Sequence, residues 1–237
     1  MGEHDKDGDR LRIWRGSAKL LVAAGALTGI FLDFAFWNGV RGSITLASYF
    51  TEQSNLIIAI VFIFTGFGAL AGRQPGKALA ALERCARVWI VMTGLAFHFL
   101  LSAIYHPEGA LGAANLLAHY VVPIGSFLIW LFLEPKGSYK IGELGLWISY
   151  PLAYCVFCLL RGQIDGFYPY YFVSPLPKPG GVGSLAAVGA WAAVLACGFI
   201  ILGLLFTGID HLLPRGPKGG EAEEQAPLSP SRSGASP

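Results

Sequence analysis

Long apolar runs alternate with short polar connections along the chain. Six runs are long enough to cross a bilayer, which takes about 20 residues each. They lie near 18–38, 53–72, 87–106, 113–133, 142–161 and 185–208. In lipid each must be a helix, because only a helix satisfies its own backbone donors and acceptors. The pattern predicts an all-α polytopic membrane protein, a bundle of six transmembrane helices over residues 18–212. Residues 1–17 read as a polar tail. Residues 213–237, rich in Pro, Gly, Ser and Glu, read as a disordered one. One stretch breaks the pattern. "SYFTEQSNL", residues 48–56, puts five polar residues, Thr51 to Asn55, at the head of a run that continues "IIAIVFIFTGFGALAG".

Polar side chains are costly in lipid, so their depth carries information. Asp33 falls about five residues before the end of the first span, roughly 8 Å in at 1.5 Å per residue. Thr51, Gln53 and Asn55 open the second span. His98, Ser102, Tyr105 and His106 lie in the last turns of the third, Asn115 and His119 in the first turns of the fourth, and Tyr150, Tyr154 and Arg161 run up the fifth. Spacings of three and four keep each set on one side of its helix. Five spans thus direct polar groups to one depth beneath one membrane surface, which predicts a shared polar cavity there. The other halves of the spans read as largely aliphatic. The loop after the fifth span, with Tyr168, Tyr170, Tyr171 and four prolines, reads as a lid over the cavity or as interfacial anchoring.

Charge sets the orientation. Fourteen Lys and Arg lie in the two tails and the second and fourth loops, against three (Arg41, Arg161 and Lys178) on the other side. The positive-inside rule then puts both termini in the cytoplasm and the cavity under the outer leaflet. The first apolar run is too long for a signal-peptide core and holds Asp33, so it reads as a retained helix. A net charge of +2 gives no reason to expect nucleic acid. Cys155 and Cys158 form C-x-x-C inside an apolar helix and read as packing residues. No metal-ligand pattern or cofactor motif is present, so no metal and no cofactor are expected. Gly25 and Gly29 in the first span, and Gly189, Ala193 and Cys197 in the sixth, read as small-residue packing stripes.

Two readings of Thr51 stay open on these grounds. Its hydroxyl can cap a free backbone N–H of its own helix. Alternatively Thr51 and His119, at one depth, form a nucleophile and its base, with first-turn N–H groups, Gln53 and Asn55 as oxyanion donors. Asp33, or Tyr105 with His98, would then orient the imidazole. Arg161 is expected to pair with Asp33 or Asp165.

"YFTEQSNL", "NLLAHYVVP" and "YPLAYCVFCLLRG…GFYPYYF" resemble the bacterial six-helix family called Pr-six-Pr, which is distantly similar to the androgen-induced transmembrane hydrolases. The resemblance covers about residues 18–208. It implies a multi-pass protein of the bacterial plasma membrane that hydrolyses lipid acyl esters such as fatty acid esters of hydroxy fatty acids. It implies Thr51 as nucleophile and His119 as base. A different class, a transporter or proton-coupled channel relaying through Asp33, His98, His119 and Arg161, would need polar groups across the whole bilayer. A scaffold with a structural polar core is the third reading.

Overall fold

The computed structural model describes residues 3–37 and 42–214, so the tail beyond 214 and Arg41 lie outside the described residues. Among the described residues there are eight α-helices and no strand. They are α1 (Glu3–Phe36), the short α2 (Gly42–Leu46), α3 (Phe50–Leu70), α4 (Lys77–Ala96), α5 (Gly109–Leu116), α6 (Val122–Leu133), α7 (Leu144–Asp165) and α8 (Leu185–Leu212). Two five-residue π-helical turns interrupt the regular winding. Phe97–Leu101 continues α4, and Leu117–Val121 joins α5 to α6. Counted with these turns, six helices are long and apolar enough to span a membrane: Asp7–Phe36, Phe50–Leu70, Lys77–Leu101, Gly109–Leu133, Ile141–Asp165 and Leu185–Leu212. The protein is thus an all-α, six-span membrane bundle. Its rim carries large apolar side chains such as Phe31, Phe64, Phe99 and Phe132, as a lipid-facing surface requires.

The first expected boundary moves. Most of residues 1–17, expected as a tail, belong to α1, which runs unbroken from Glu3. Arg12 reaches the carbonyls of Ala69 and Leu70 and so ties this extension to the end of α3.

α1 packs most extensively on α3. Close approach is made by Gly16 against Gly66, where a Cβ on Gly16 would come 2.9 Å from the Gly66 carbonyl oxygen. Gly25 and Gly29 face α6 and the turn that carries His119, in ordinary van der Waals contact with Val122 and Leu117. The Gly189, Ala193 and Cys197 stripe behaves differently. All three are exposed on the rim of α8. They mark its outward side, while Gly198 and Gly203 of the same helix lie against Met92 and Trp147.

The spans are not aliphatic at the end opposite Thr51. Lys19, Glu83, Arg87 and Glu134 form a closed ionic cluster there. Lys19 Nζ lies 2.5 Å from Glu83 and 2.9 Å from Glu134, and Arg87 Nη2 lies 2.9 Å and 2.7 Å from the same two carboxylates. Two cations meet two anions, so the cluster can be neutral. Burial disfavours the charged form of Glu134, but attraction to Arg87 and Lys19 overrides it and holds this carboxyl below the usual range. Arg84 forks onto Glu143 from Nε at 2.9 and 3.1 Å. Buried Asp210 accepts N–H bonds from Tyr139 at 2.9 Å and Trp130 at 3.2 Å, pinning the Glu134–Glu143 connection to α8. The charge count puts Lys19 in the N-terminal tail and Arg84 and Arg87 in the second loop. The structure places them in helices, with carboxylate partners.

Candidate functional site

Helix α3 begins at Phe50, so Thr51 is inside its first turn and is not its N-cap; Tyr49 holds that position and makes no side-chain capping bond. The capping work comes from elsewhere. The Phe50 N–H donates to the Tyr154 hydroxyl at 3.1 Å, and that hydroxyl donates in turn to the Ser48 carbonyl at 2.9 Å. The Thr51 N–H donates to the Tyr170 hydroxyl at 3.3 Å. Two phenols, one on α7 and one on the following loop, thus satisfy N–H groups that every helix start leaves free. This releases the Thr51 hydroxyl for another partner.

That partner is His119. Thr51 Oγ1 lies 3.1 Å from His119 Nε2. The other ring nitrogen, Nδ1, lies 3.1 Å from the Asn115 carbonyl oxygen. A carbonyl only accepts, so Nδ1 carries the proton. Nε2 of the neutral ring is then a bare acceptor aimed at the Thr51 hydroxyl, the tautomer a general base needs. Phe97 stacks on the imidazole with centroids 3.9 Å apart and fixes the ring plane. Both His119 and Phe97 belong to π-helical turns, a local winding found often at functional sites. The Tyr170 hydroxyl completes the group, 3.3 Å from Thr51 Oγ1. Burial pushes this phenol well above its ordinary range, so it keeps its proton and can donate.

Two cavities meet at this constellation. Thr51, Phe97, Leu101, His119 and Tyr170 line both. The first, about 90 Å³, runs among α4, α7 and α8 between side chains such as Met92, Leu152, Leu195 and Phe199. Its wall is almost wholly apolar. The second, about 300 Å³, opens past Asp33, Trp37, Tyr49, Glu52, Tyr105 and Asn115. A third hollow, beside the ionic cluster, shares no lining residue with these two.

The remaining expected site residues divide clearly. Asn115 orients His119 through its backbone carbonyl, and its side chain lines the second cavity. Asp33 lines the same cavity, as does Glu52, but the partners of His119 are Thr51 and Asn115. Tyr154 lines the first cavity and caps α3. Gln53 is tied to the Ala47 carbonyl and Tyr150 and lines neither cavity. Asn55 lies one turn beneath Thr51, donating to the carbonyls of Thr51 and Ala118. It braces α3 against the π turn and lines neither cavity. His98 is exposed and meets Tyr120 at 3.3 Å, outside both cavities. Arg161 pairs with Asp165 at 3.2 Å and lies over the Phe167 ring, so it does not meet Asp33. The Tyr168 ring covers Gly162, and the adjacent Tyr170 takes the place in the site expected of it. Tyr170 was legible only as one of several loop tyrosines. Among the described residues no group of three or more His, Cys, Asp or Glu could hold a metal ion.

Gly94 sets the spacing of α4 from the His119 turn. A Cβ there would come 2.7 Å from the His119 carbonyl oxygen and 3.0 Å from Pro123. Gly94→Ala is expected to destabilise the fold by about 1–3 kcal/mol through overpacking. The backbone it would displace carries His119, and a melting curve checks the loss of stability.

No protein-family model matches the chain, and neither a curated protein nor a solved structure shows significant similarity to it.

Proposed function

We propose that the protein is an integral membrane hydrolase of lipid acyl esters. The observation that carries this reading is the Thr51–His119–Asn115 relay, with its bare Nε2 directed at a hydroxyl where an apolar and a polar cavity join. The acyl chain lies in the apolar cavity and the alcohol side in the polar one. His119 Nε2 takes the Thr51 proton as Oγ1 attacks the ester carbonyl carbon. The Tyr170 O–H donates to the oxyanion of the tetrahedral intermediate. Collapse breaks the bond to the alcohol oxygen, which leaves with the proton from His119. Water, deprotonated by His119, then hydrolyses the acyl-threonine, releases the fatty acid and restores both side chains.

The charge distribution supports a topology with both termini in the cytoplasm and the site beneath the outer leaflet of a plasma membrane. A transport reading is less well supported. The ionic cluster gives the opposite end polar groups, but fully buried Ile58, Val61, Phe62, Val88 and Ile90 lie in the core along α3 and α4 between the two ends.

Purified protein in detergent is expected to hydrolyse a fluorogenic medium-chain acyl ester and to be labelled by a fluorophosphonate ester probe on Thr51. Absence of both activities would overturn the proposal. Tyr170→Phe removes one oxyanion donor and should lower kcat by roughly 100-fold. An unchanged kcat would show that Tyr170 only caps α3.

A further inference from the structure

The polar cavity says which alcohol the site releases. The following step rests on the hydrolase reading above. Beyond Thr51 and His119 this cavity is lined by two carboxyl side chains, Asp33 and Glu52. One negative charge on either of them already sets the sign of the wall, and like charges repel strongly in such a space. No Lys or Arg lines the cavity among the described residues, so nothing on its wall compensates a second anion. In a site shielded by lipid and apolar side chains, repulsion between like charges is far stronger than in water.

The same cavity offers neutral hydrogen-bonding groups. Trp37 and Asn115 both line it, and each holds a buried polar atom with no partner among the described residues. These are the indole Nε1, a donor, and the amide Oδ1, an acceptor. Both atoms are closed off from the space itself, so the hydroxyl-binding groups open to it are the phenols. The phenols of Tyr49 and Tyr105, lining the same space, are pushed up by burial and stay neutral.

We infer that the site is selective for acyl esters of uncharged, hydroxyl-bearing alcohols, such as monoacylglycerols, and that it rejects esters whose alcohol part ends in a free carboxylate. Asp33 and Glu52 are the specificity element, and the phenols of Tyr49 and Tyr105 receive the hydroxyls. This departs from the substrate that the resemblance implies, because a fatty acid ester of a hydroxy fatty acid brings its carboxylate to the alcohol side.

The test uses the full chain in detergent and three esters with the same acyl group. One is a 1-monoacylglycerol, one is the ester of a hydroxy fatty acid with its carboxylate free, and one is the methyl ester of that second compound. The monoacylglycerol and the methyl ester should be cleaved with kcat/KM about tenfold or more above that of the carboxylate, as one unscreened like-charge contact implies. The pair Asp33→Asn/Glu52→Gln should shrink the methyl-ester-to-carboxylate ratio several-fold. Because that ratio is compared between two proteins, unequal partitioning of the substrates into micelles cancels. Equal cleavage of carboxylate and methyl ester by the unaltered protein would overturn the inference and leave the hydrolase reading standing. A ratio unmoved by the double substitution would remove the carboxyl pair from the explanation and also overturn it. Failure to cleave any of the three, with no fluorophosphonate labelling of Thr51, would overturn the hydrolase reading itself.

Discussion

Arg87→Ala is expected to cost about 3–5 kcal/mol and to sharply reduce the yield of folded protein in detergent, because it leaves buried carboxylates uncompensated. Arg87 is fully buried. Its Nη2 bridges Glu83 and Glu134, and Nη1 lies 3.3 Å from the Tyr139 hydroxyl. Without it, Lys19 alone faces two carboxylates that are largely shut off from solvent. The sign of the effect distinguishes a charge role from simple packing. Arg87→Met keeps most of the volume and should still be strongly destabilising. Combining it with Glu134→Gln leaves one cation and one anion and should recover a large part of the loss. Thermal melting of the single and double variants checks this. A melting temperature for Arg87→Ala within a degree or two of the unaltered protein would show that the cluster contributes little to folding.

Why the sequence hid this cluster is physical. Lys19, Arg84 and Arg87 stand near the ends of apolar runs, where the positive-inside rule assigns Lys and Arg to loops. The bundle extends its helices past the hydrophobic windows, with α1 from Glu3 and α4 from Lys77. Near-terminal charges are thereby drawn among neighbouring helices, and pairing follows. The six spans themselves were legible because lipid forces the backbone to close its own hydrogen bonds, whatever the side chains do.

The site was legible in part for the same reason. A polar stretch at the head of an apolar run can be read for depth, and depth brought Thr51 and His119 together. Direction was harder. At 100° per residue, Gln53 turns to the far side of α3 from Thr51, where it meets Tyr150. Asn55 returns to the same side one turn lower and serves as a brace. The π turns at Phe97–Leu101 and Leu117–Val121 shift the helical register locally, so periodic spacing places His98 in the cavity when it is outside. Tyr170 comes from a loop, where no periodicity says which of several tyrosines turns inward. The surroundings of Asp33 were also open: Glu52, next to Thr51, lines the same cavity with it, while Arg161 finds Asp165 four residues on in its own helix.

If Thr51 and His119 act as one unit, removing either should remove nearly all hydrolysis, and removing both should cost little more. The Thr51 hydroxyl is a weak nucleophile without a base, and His119 has no proton to take without the hydroxyl. Thr51→Ala and His119→Ala should therefore each lower kcat by roughly a thousand-fold or more, with the double variant close to either single one. Thr51→Ser keeps the hydroxyl 3.1 Å from Nε2 and should retain measurable turnover. Stability separates this from a bracing role. Phenols already cap α3 and the Asn115 carbonyl already holds His119, so Thr51→Ala should change the melting temperature little. The chemical step is read as acyl-enzyme burst and fluorophosphonate labelling, the fold as melting in the same detergent. Multiplicative losses in the double variant would mean that the two side chains act separately. A large drop in melting temperature with full residual hydrolysis would make the pair structural. Retained labelling after Thr51→Ala would place the nucleophile elsewhere in the cavity.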